Sequence, residues 1–366
     1  MKAIILVGGE ATRLRPLTCN IPKIMVPVLN RPLLEHIIGY LKSHGILDVV
    51  LAVGKSPEHI QRHFRDGSKL GVKITYSVED YPRGTAGAVK NAERFGDGSF
   101  VVLNGDVFSD LDLGAMIERH RRSRPIATLA LTPVEDPSSY GVVETDADGR
   151  VKRFIEKPKP GEVTTNMINA GVYVLEPEIL SYISPDGFIM FERDIFPLLL
   201  EKGQVMYGYA FQGYWIDMGT PDKYLRLNWD LLRRPALVRA RDKGVEFEGK
   251  SFVNTSARIE GPAIIGQGCF IGANSLIKGP AVLGARCQVE EGAIIEGAIL
   301  WEDCRVGKNS KLGNCVLASR CHVEDASEVL DGCLIGDGVR IGSGNRLCNG
   351  IKIWPNSIVP PNTISF

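Results

Sequence analysis

The segment IGQGCFIGANSLIKGPAVLGARCQV, residues 265–289, carries an aliphatic residue at every sixth position. The same spacing begins at Val253 and continues to Val359, with two five-residue steps that end at Leu300 and Leu317. A period of six is typical of a parallel β-helix of hexapeptide rungs, in which each aliphatic side chain points inward. We therefore predict a hexapeptide-repeat β-helix domain over residues 251–366. The predicted inward residues are Val253, Ile259, Ile265, Ile271, Ile277, Leu283, Val289, Ile295, Leu300, Val306, Leu312, Leu317, Val323, Val329, Ile335, Ile341, Leu347, Ile353 and Val359.

The cysteines follow the same repeat. Seven of the eight lie between residues 269 and 348, and no C-x-x-C pair occurs among them. Five of these occupy the position four residues after an inward aliphatic residue, where a small apolar side chain would fill a narrow core. They are Cys269, Cys287, Cys304, Cys321 and Cys333. We predict buried packing thiols rather than metal ligands, redox groups or disulfides.

The first part of the chain has a different pattern. Apolar strand-like runs (KAIILV, DVVLAVG, VKITYS, FVVLNGD) alternate with amphipathic stretches such as PLLEHIIGYLKSHG. This alternation is typical of an α/β fold with a parallel sheet. The later runs IATLALTPV, GVVET, VKRFIEK and INAGVYVLE are closer together and predict an antiparallel extension. We predict a Rossmann-like domain with a mixed, mostly parallel sheet over residues 1–232, followed by a charged linker over 233–250.

Charge and hydropathy argue against two classes of partner. The 366 residues include 43 lysines and arginines and 43 aspartates and glutamates, so no global field would hold the protein on nucleic acid. No apolar run approaches the roughly 18 residues of a membrane span. The run IILV near the amino terminus is too short for a signal peptide. We expect a soluble, cytoplasmic protein with no nucleic-acid or membrane partner.

The loop after the first strand, VGGEATRLRPLTCNIPK at residues 7–23, combines a glycine pair with arginines and a lysine. Glycines let backbone N–H groups approach a phosphate, and the cations supply compensating charge. The loop matches neither G-x-x-x-x-G-K-[ST] nor G-x-G-x-x-G. On these residues alone it is either an anion cradle or a surface turn with solvated arginines.

Two acidic residues suggest a cation site. Asp106 follows the apolar strand FVVLNGD, so it emerges at the carboxyl end of a parallel sheet, where ligands bind. A carboxylate near phosphates needs an intervening cation, and Mg²⁺ takes one or two carboxylates plus substrate phosphates. The alternative role for Asp106 is a helix cap, but Ser109 and Asp110 are better placed for it. Asp217, in the apolar segment GYWIDMGTP, either has a buried partner or holds a metal.

These motifs together resemble the sugar-phosphate nucleotidylyltransferases, and within that family the GDP-mannose pyrophosphorylase group. The resemblance covers essentially the whole chain. Its ordered parts are GGEATRLRPLTCNIPK, GTAGA at 84–88, LNGD at 103–106, YGVV from Tyr140, FIEKP at 154–158, INAG at 168–171, YWIDMGTP at 214–221 and the hexapeptide repeat. The resemblance implies that the β-helix is left-handed, which the period alone does not determine.

The resemblance also implies an activity, which is transfer of a nucleoside monophosphate from a nucleoside triphosphate to a sugar 1-phosphate, with release of pyrophosphate. Arg13, Lys23 and Asp106 would be catalytic, and Asp106 and Asp217 would bind Mg²⁺. The implied nucleotide-binding residues are Leu6, Gly8, Gly9, Thr12, Arg13, Lys23, Gly84 and Thr85. The implied sugar-phosphate-binding residues are Gly141, Glu156, Lys157 and Asn169. No activated nucleophile is needed, because the sugar phosphate oxygen is itself nucleophilic, and positioning and electrostatics do the work.

Two residues depart from the family pattern. The family loop reads G-G-x-G-T-R, whereas Ala11 occupies the place of the third glycine. If that residue needs a positive φ, its Cβ costs on the order of 1 kcal/mol. Arg83 precedes GTAG where the group carries leucine, and it either reaches a phosphate or faces water.

Several alternatives remain open at this level. The chain could be a non-catalytic sensor of nucleotide-sugars, or a related enzyme that uses UTP or dTTP with glucose 1-phosphate instead of GTP with mannose 1-phosphate. A bifunctional enzyme with an acyltransferase β-helix would need a histidine base, and His322, which is expected to face solvent, is the only histidine past residue 120. We expect the β-helix to serve assembly into a homo-oligomer instead.

Overall fold

The computed structural model describes residues 1–9, 11–95, 98–234 and 244–365. The chain forms two compact units, Met1–Gly9 with Ile37–Asp217, and Glu10–His36 with Met218–Phe366. Half of the charged linker predicted at 233–250, residues 235–243, lies outside the described residues. The predicted domain boundaries at 232 and 251 stay a prediction. In the described part of the chain, no helix is long and apolar enough to cross a membrane.

The first unit is built on a nine-stranded mixed sheet. The strands of this unit are β1 Lys2–Leu6, β2 Asp48–Val53, β3 Lys73–Val78, β4 Phe100–Asn104, β5 Val107–Ser109, β6 Ala127–Pro133, β7 Gly141–Thr145, β8 Val151–Glu156, β9 Met167–Leu175, β10 Met206–Ala210 and β11 Trp215–Asp217; β5 and β11 form a separate pair. Four strands of the main sheet pair in parallel in the order β4-β1-β2-β3, as the alternating pattern predicts. Strand β9 pairs antiparallel with β4, β6 and β7, which confirms the antiparallel extension, and β10 adds a parallel strand beside β6 that the sequence did not predict.

The described residues form six α-helices, several of which carry an apolar face. They are α1 Leu33–Ser43, α2 Glu58–Phe64, α3 Gly84–Asn91, α4 Leu113–Ser123, α5 Phe196–Glu201 and, in the second unit, α6 Pro221–Arg233. Shorter helical turns occur at Thr12–Leu14, Lys23–Met25, Ser68–Leu70, Glu93–Phe95 and Pro177–Tyr182, with a π-helical turn at Phe191–Ile195. A short antiparallel pair, Pro27–Val28 with Arg31–Pro32, precedes α1.

The second unit contains a parallel β-helix with three sheets, which confirms the fold predicted from the six-residue period. The first face comprises Val245–Phe247, Ala263–Ile265, Ala281–Leu283, Ile299–Leu300, Val316–Leu317, Leu334–Ile335 and Lys352–Ile353. The second face comprises Phe252–Val253, Phe270–Ile271, Gln288–Val289, Arg305–Val306, His322–Val323, Arg340–Ile341 and Ile358–Val359. The third comprises Arg258–Glu260, Leu276–Lys278, Ile294–Glu296, Lys311–Gly313, Glu328–Val329 and Arg346–Leu347.

The core of the β-helix matches the predicted inward positions. All of them belong to one apolar cluster, and only Val253, Ile259 and Ile353, near the ends of the stack, are partly exposed. The five cysteines predicted to pack are buried and form no disulfide. The outward side chains in the middle of the first face, among them Ile264 and Val316, are buried as well, whereas Lys352 at its end is exposed. The middle of this face is therefore covered, whereas outward residues of the second face, such as Phe252, are exposed.

Candidate active site

The glycine pair and the first predicted metal ligand leave the sheet at one edge. Strands β1 and β4 are parallel neighbours, with Leu6 opposite Asn104. Gly8 and Asp106 each follow their strand by two residues, so both lie at the carboxyl edge, where open α/β sheets bind ligands. Gly9 has a φ of 112°, which an L side chain rarely adopts. The backbone here is therefore specific for glycine.

Asp217 reaches the same place through a separate two-stranded ladder. Strand β11 pairs antiparallel with β5, and Asp217 lies opposite Val107. Asp106 immediately precedes Val107, so the Cα atoms of the two aspartates are roughly 6 Å apart. The Asp217 carboxylate also accepts a hydrogen bond of 3.1 Å from the Tyr140 hydroxyl. Two acidic side chains more than a hundred positions apart in sequence are thus neighbours.

This donor set fits Mg²⁺. Two carboxylates leave coordination positions for water and phosphate oxygens, which is how Mg²⁺ binds in phosphate-handling sites. Within the ranges that the structure describes, no group of three or more histidine, cysteine or acidic side chains could hold a metal. A closed all-protein site of the zinc type is therefore not formed by these residues.

A glycine allows a carboxylate to lie against the backbone of β7. Gly141 is opposite Glu156 in the β7–β8 hairpin. A Cβ at Gly141 would lie 2.9 Å from Glu156 Oε2 and 2.7 Å from Phe154 Cζ, so any larger residue would displace that carboxylate. Lys157 follows with a φ of 52°, and its Nζ is 4.0 Å from Glu156 Oε1. The three predicted residues of this hairpin are therefore adjacent.

An irregularity in β9 brings Asn169 to the same region. The register of β9 with β6 shifts between Asn169 and Tyr173, and Gly171 within the shift has a φ of 73°. Such bulges redirect side chains. Asn169 Oδ1 accepts a 3.1 Å hydrogen bond from the Gly171 N–H. Its neighbour Ile168 pairs with Val142, which places Asn169 beside the β7–β8 hairpin.

Glu192 links the predicted nucleotide and sugar residues, and the sequence analysis missed it. Its buried carboxylate accepts hydrogen bonds from Thr85 Oγ1 at 2.8 Å and from the Tyr173 hydroxyl at 3.2 Å. The Tyr173 hydroxyl in turn accepts from Asn169 Nδ2 at 2.7 Å. Glu192 occupies the second position of the π-helical turn. Its sequence signal is weak, because it begins a short charged run, ERD, between apolar residues in IMFERDIF.

Burial and neighbouring negative charge raise the pKa values of Glu156 and Tyr173. Burial raises the pKa of the Glu156 carboxyl, and the nearby Glu192 carboxylate raises it further. Burial also raises the pKa of the Tyr173 phenol well above its usual range. The hydroxyl therefore stays protonated and able to donate to Glu192.

Two buried acceptors at the carboxyl edge lack a hydrogen-bond partner among the described residues. They are Glu79 Oε1, just after β3, and Asn104 Oδ1, at the end of β4. Burial raises the pKa of Glu79, an effect that the Arg83 backbone N–H partly offsets by donating to the carboxylate. A buried acceptor without a donor is costly, so both atoms are suited to a ligand's N–H or O–H group.

Thr12, Arg13 and Lys23 belong to the second compact unit. Thr12 and Arg13 are exposed and lie in one 3₁₀ turn, while Lys23 is half-buried and begins another. Ala11 has a φ of 46° and a ψ of 39°, so the place of the family's third glycine is left-handed here. Thr18 Oγ1 donates a 2.9 Å hydrogen bond to the Ala11 carbonyl and stabilises this conformation.

The cap of helix α4 differs from the prediction. Asp112, not Ser109 or Asp110, is the N-cap, and its Oδ1 accepts from the Ala115 N–H at 3.0 Å. Asp110 instead accepts from the Tyr214 N–H at 2.7 Å. The helix starts later than predicted because β5 occupies the intervening residues. Asp106 is free of a capping role in α4 in either case.

Arg83 contacts two neighbouring residues that the sequence did not indicate. Its Nη1 donates a 2.8 Å hydrogen bond to the Pro185 carbonyl, and its guanidinium lies over the Tyr81 ring, 4.2 Å from the centroid. Arginine at this position therefore ties α3 to the segment before the π-helical turn. A contact between Arg83 and a phosphate stays a prediction.

Comparison with known proteins gives the family. The nucleotidyl transferase family model matches residues 2–234, more than half of the chain. Mannose-1-phosphate guanylyltransferase of Mycobacterium tuberculosis is 39% identical over 74% of this chain and 76% of its own. The chain belongs to the sugar-phosphate nucleotidyltransferase family. As a sugar-1-phosphate nucleotidyltransferase it also resembles UTP–glucose-1-phosphate uridylyltransferase of Synechocystis, at 36% identity over 74% of this chain and 80% of the relative.

The structural comparison and the second family model agree with this assignment. HddC from Yersinia pseudotuberculosis, crystallised in complex with GMP-PN, aligns with this nucleotidyltransferase at a TM-score of 0.55 and 29% identity. The alignment covers 63% of this chain and 99% of HddC. Residues 246–347 match the EIF2B subunit epsilon LbH domain, a left-handed β-helix, which confirms the predicted hand of the repeat domain.

Proposed function

We propose that this nucleotidyltransferase joins GTP to mannose 1-phosphate, giving GDP-mannose and pyrophosphate in a Mg²⁺-dependent reaction. The observation that carries the proposal is the register that sets Asp217 opposite Val107 and thus beside Asp106, at the sheet edge from which Gly8 leaves. The guanylyltransferase relative favours GTP and mannose 1-phosphate. The uridylyltransferase relative keeps UTP and glucose 1-phosphate as the alternative pair.

In this reaction a sugar phosphate oxygen attacks the α-phosphorus in line, and the bond from the α-phosphorus to the bridging oxygen breaks. Pyrophosphate is the leaving group. No proton has to be removed from the nucleophile, because the attacking oxygen of the sugar phosphate is already ionised at neutral pH. A divalent cation held by Asp106 and Asp217 would supply positive charge beside the phosphates. Arg13 and Lys23 are the side chains proposed to hold the triphosphate. Tyr140 orients the Asp217 carboxylate by its hydrogen bond.

The sugar phosphate is proposed to bind at the β7–β8 hairpin. Lys157 supplies a cation for the phosphate, while Glu156 and Asn169 offer acceptors and donors for hydroxyl groups. Glu192 holds Tyr173 and through it Asn169, so the position of the amide depends on a buried carboxylate. Thr85 is held by the same carboxylate and would approach the nucleotide.

The experiment is a substrate panel with the full-length protein. GTP, UTP, dTTP and ATP are each combined with mannose 1-phosphate or glucose 1-phosphate in Mg²⁺, and pyrophosphate release is followed. We expect the highest kcat/KM for GTP with mannose 1-phosphate and no turnover in excess chelator. A preference for another pair would replace the substrates while keeping the reaction. Retained GDP-mannose binding without any turnover would favour the sensor.

Two further predictions concern the β-helix. We propose a homo-oligomer through its exposed aromatic residues, among which Phe252 and Phe270 stack with ring centroids 5.2 Å apart. A monomeric mass in light scattering would contradict this.

His322 lies on the second face between Arg305 and Arg340, and burial together with Arg305 lowers its pKa. An acetyl-CoA-dependent activity lost in His322→Ala would support the bifunctional alternative.

A further inference from the structure

The segment that carries Lys23 is attached at three points, two of them on the β-helix and one on helix α6, which itself contacts the β-helix. We call residues 11–30 the nucleotide loop. Asn20 Nδ2 donates to Asp337 Oδ2 at 3.0 Å, the Pro27 carbonyl accepts from the Tyr224 hydroxyl at 2.6 Å, and Asn30 Nδ2 donates to the Leu283 carbonyl at 2.9 Å. All of these residues belong to the second unit. The nucleotide loop is therefore held by hydrogen bonds within the second unit.

The middle attachment is a buried relay of hydrogen bonds. Trp301 follows a strand of the first face, and its Nε1 donates to the Tyr224 hydroxyl at 3.0 Å. That hydroxyl donates in turn to Pro27, four residues after Lys23. Tyr224 is fully buried and Trp301 is 4% exposed. Because buried polar groups need their partners, this relay fixes the Pro27 carbonyl relative to the rungs.

The attachment at Asp337 uses a buried charge. Asp337 is 6% exposed, and its Oδ1 accepts from the Ser319 N–H of the preceding rung at 3.1 Å. Its second carboxylate oxygen meets Asn20. Asp325 occupies a similar corner and accepts from the Lys308 N–H at 2.7 Å, but it is exposed and has no such contact with the loop in the described structure. Of these two carboxylates, that of Asp337 combines a rung contact with a contact to the loop.

The attachment points follow the stack of rungs. Leu283, Leu300, Leu317 and Ile335 are successive register partners on the first face, and the residues that hold the loop lie at or shortly after three of them. Three rung spacings correspond to about 14 Å. The loop from Asn30 back to Asn20 therefore runs along the stack, and the rungs act as a rigid template for it.

We propose that Asp337 is a positioning residue for nucleoside triphosphate binding, acting through Asn20 on the loop that presents Arg13 and Lys23. This inference rests on the proposed function, in which those two cations hold the triphosphate. Asp337 touches no substrate in this scheme. The β-helix then contributes to affinity for the triphosphate and is more than an assembly module.

A charge exchange in the full-length protein tests the inference. Asn20→Asp places a second carboxylate against the buried one, which repels the loop from its template. We expect KM for the triphosphate and its calorimetric Kd to rise about tenfold, with KM for the sugar 1-phosphate unchanged. In the double variant Asn20→Asp with Asp337→Asn, the introduced amide donates to the introduced carboxylate. Both constants should return to within about twofold of the wild type.

Controls distinguish the positioning role of Asp337 from the proposed function on which it rests. Asp325→Asn changes a carboxylate in a similar rung contact, and we expect its triphosphate constants to equal those of the wild type. Equal constants for wild type and Asn20→Asp would overturn the inference while leaving the proposed function intact. Failure of the double variant to recover, with melting temperatures unchanged, would overturn it too. A wild-type protein that neither binds nor turns over any triphosphate would overturn the proposed function first.

Discussion

Asp217 lies opposite Val107 in a two-stranded antiparallel ladder, and this register makes it the neighbour of Asp106. Neither strand belongs to the main sheet. The ladder of three residues per strand therefore exists beside the sheet edge and brings together carboxylates from distant parts of the sequence. A pair of this kind is stable only with a hydrogen bond or a cation, and Tyr140 provides the hydrogen bond for one of its members.

Neutralising either aspartate should remove the metal dependence of the reaction. We expect Asp106→Asn or Asp217→Asn to lower kcat/KM by about a hundredfold or more, with little change in melting temperature. The measurement is pyrophosphate release as a function of Mg²⁺ concentration. Asp112→Asn is the matched control, because asparagine caps a helix as well as aspartate. Equal loss in the control would mean that the effect is structural.

Replacing Ala11 by glycine should relieve the left-handed backbone of the nucleotide loop. At a φ of 46° the alanine Cβ costs about 1 kcal/mol, of which the greater unfolded-state entropy of glycine removes a part. We expect Ala11→Gly to raise the free energy of unfolding by about 0.5 kcal/mol and to lower KM for the triphosphate. Ala326→Gly, at a φ of 53° in a rung corner, should stabilise similarly without affecting KM. Lower stability of Ala11→Gly would contradict the assignment of strain.

Glu79→Gln should change the preference among bases. Strand β3 is two strands from β1, so Glu79 lies about 10 Å along the edge from the glycine pair, a distance suited to a base whose phosphates sit at the glycines. Guanine presents two adjacent N–H donors to a carboxylate, whereas uracil and thymine present one. We expect kcat/KM for GTP to fall at least tenfold and that for UTP to change little. A uniform loss for all four triphosphates would exclude a role in base recognition.

Glu192→Gln should change the pH dependence of stability. The raised pKa of Glu156 means that the folded protein holds this proton more tightly than the unfolded chain, so stability is lost as pH rises above the ordinary glutamate range. Removing the Glu192 charge lowers that pKa, so the loss becomes smaller. Melting temperatures between pH 4.5 and 7 measure it, with the exposed Glu178→Gln as control. An unchanged slope would show that the two carboxylates do not interact.

The buried thiols should be unreactive in the folded protein. Burial raises the pKa of Cys304 well above its usual value, and only Cys19 is exposed, with Cys348 partly so. We expect a thiol reagent to modify Cys19 rapidly and Cys348 slowly under native conditions, and all eight cysteines after denaturation. Cys19→Ser should abolish the fast phase. Rapid reaction of more than two thiols would contradict the packing described for the β-helix.

The features that follow a fixed spacing could be predicted from the sequence. The six-residue lattice determined the inward residues of the β-helix, because each rung repeats one geometry, and parallel strands placed Gly8 and Asp106 at one edge. Glu192 could not be predicted, because its position depends on a π-helical turn and on contacts with Thr85 and Tyr173 from other elements. The same holds for strand β10 and for the left-handed conformation of Ala11. Local sequence specifies neither long-range pairing nor the backbone angles of an alanine.

The two five-residue steps in the repeat have a mechanical meaning. Val282, Ile299 and Val316 stay in register although each turn between them has 17 residues, whereas Val316 and Leu334 are 18 apart. A turn of the β-helix can therefore be one residue shorter at a corner while its inward aliphatic residues keep their register. At the first shortened vertex, the Gly297 carbonyl receives the Trp229 indole N–H at 3.0 Å. The shortened corner therefore presents a backbone carbonyl to a side chain of the neighbouring helix α6.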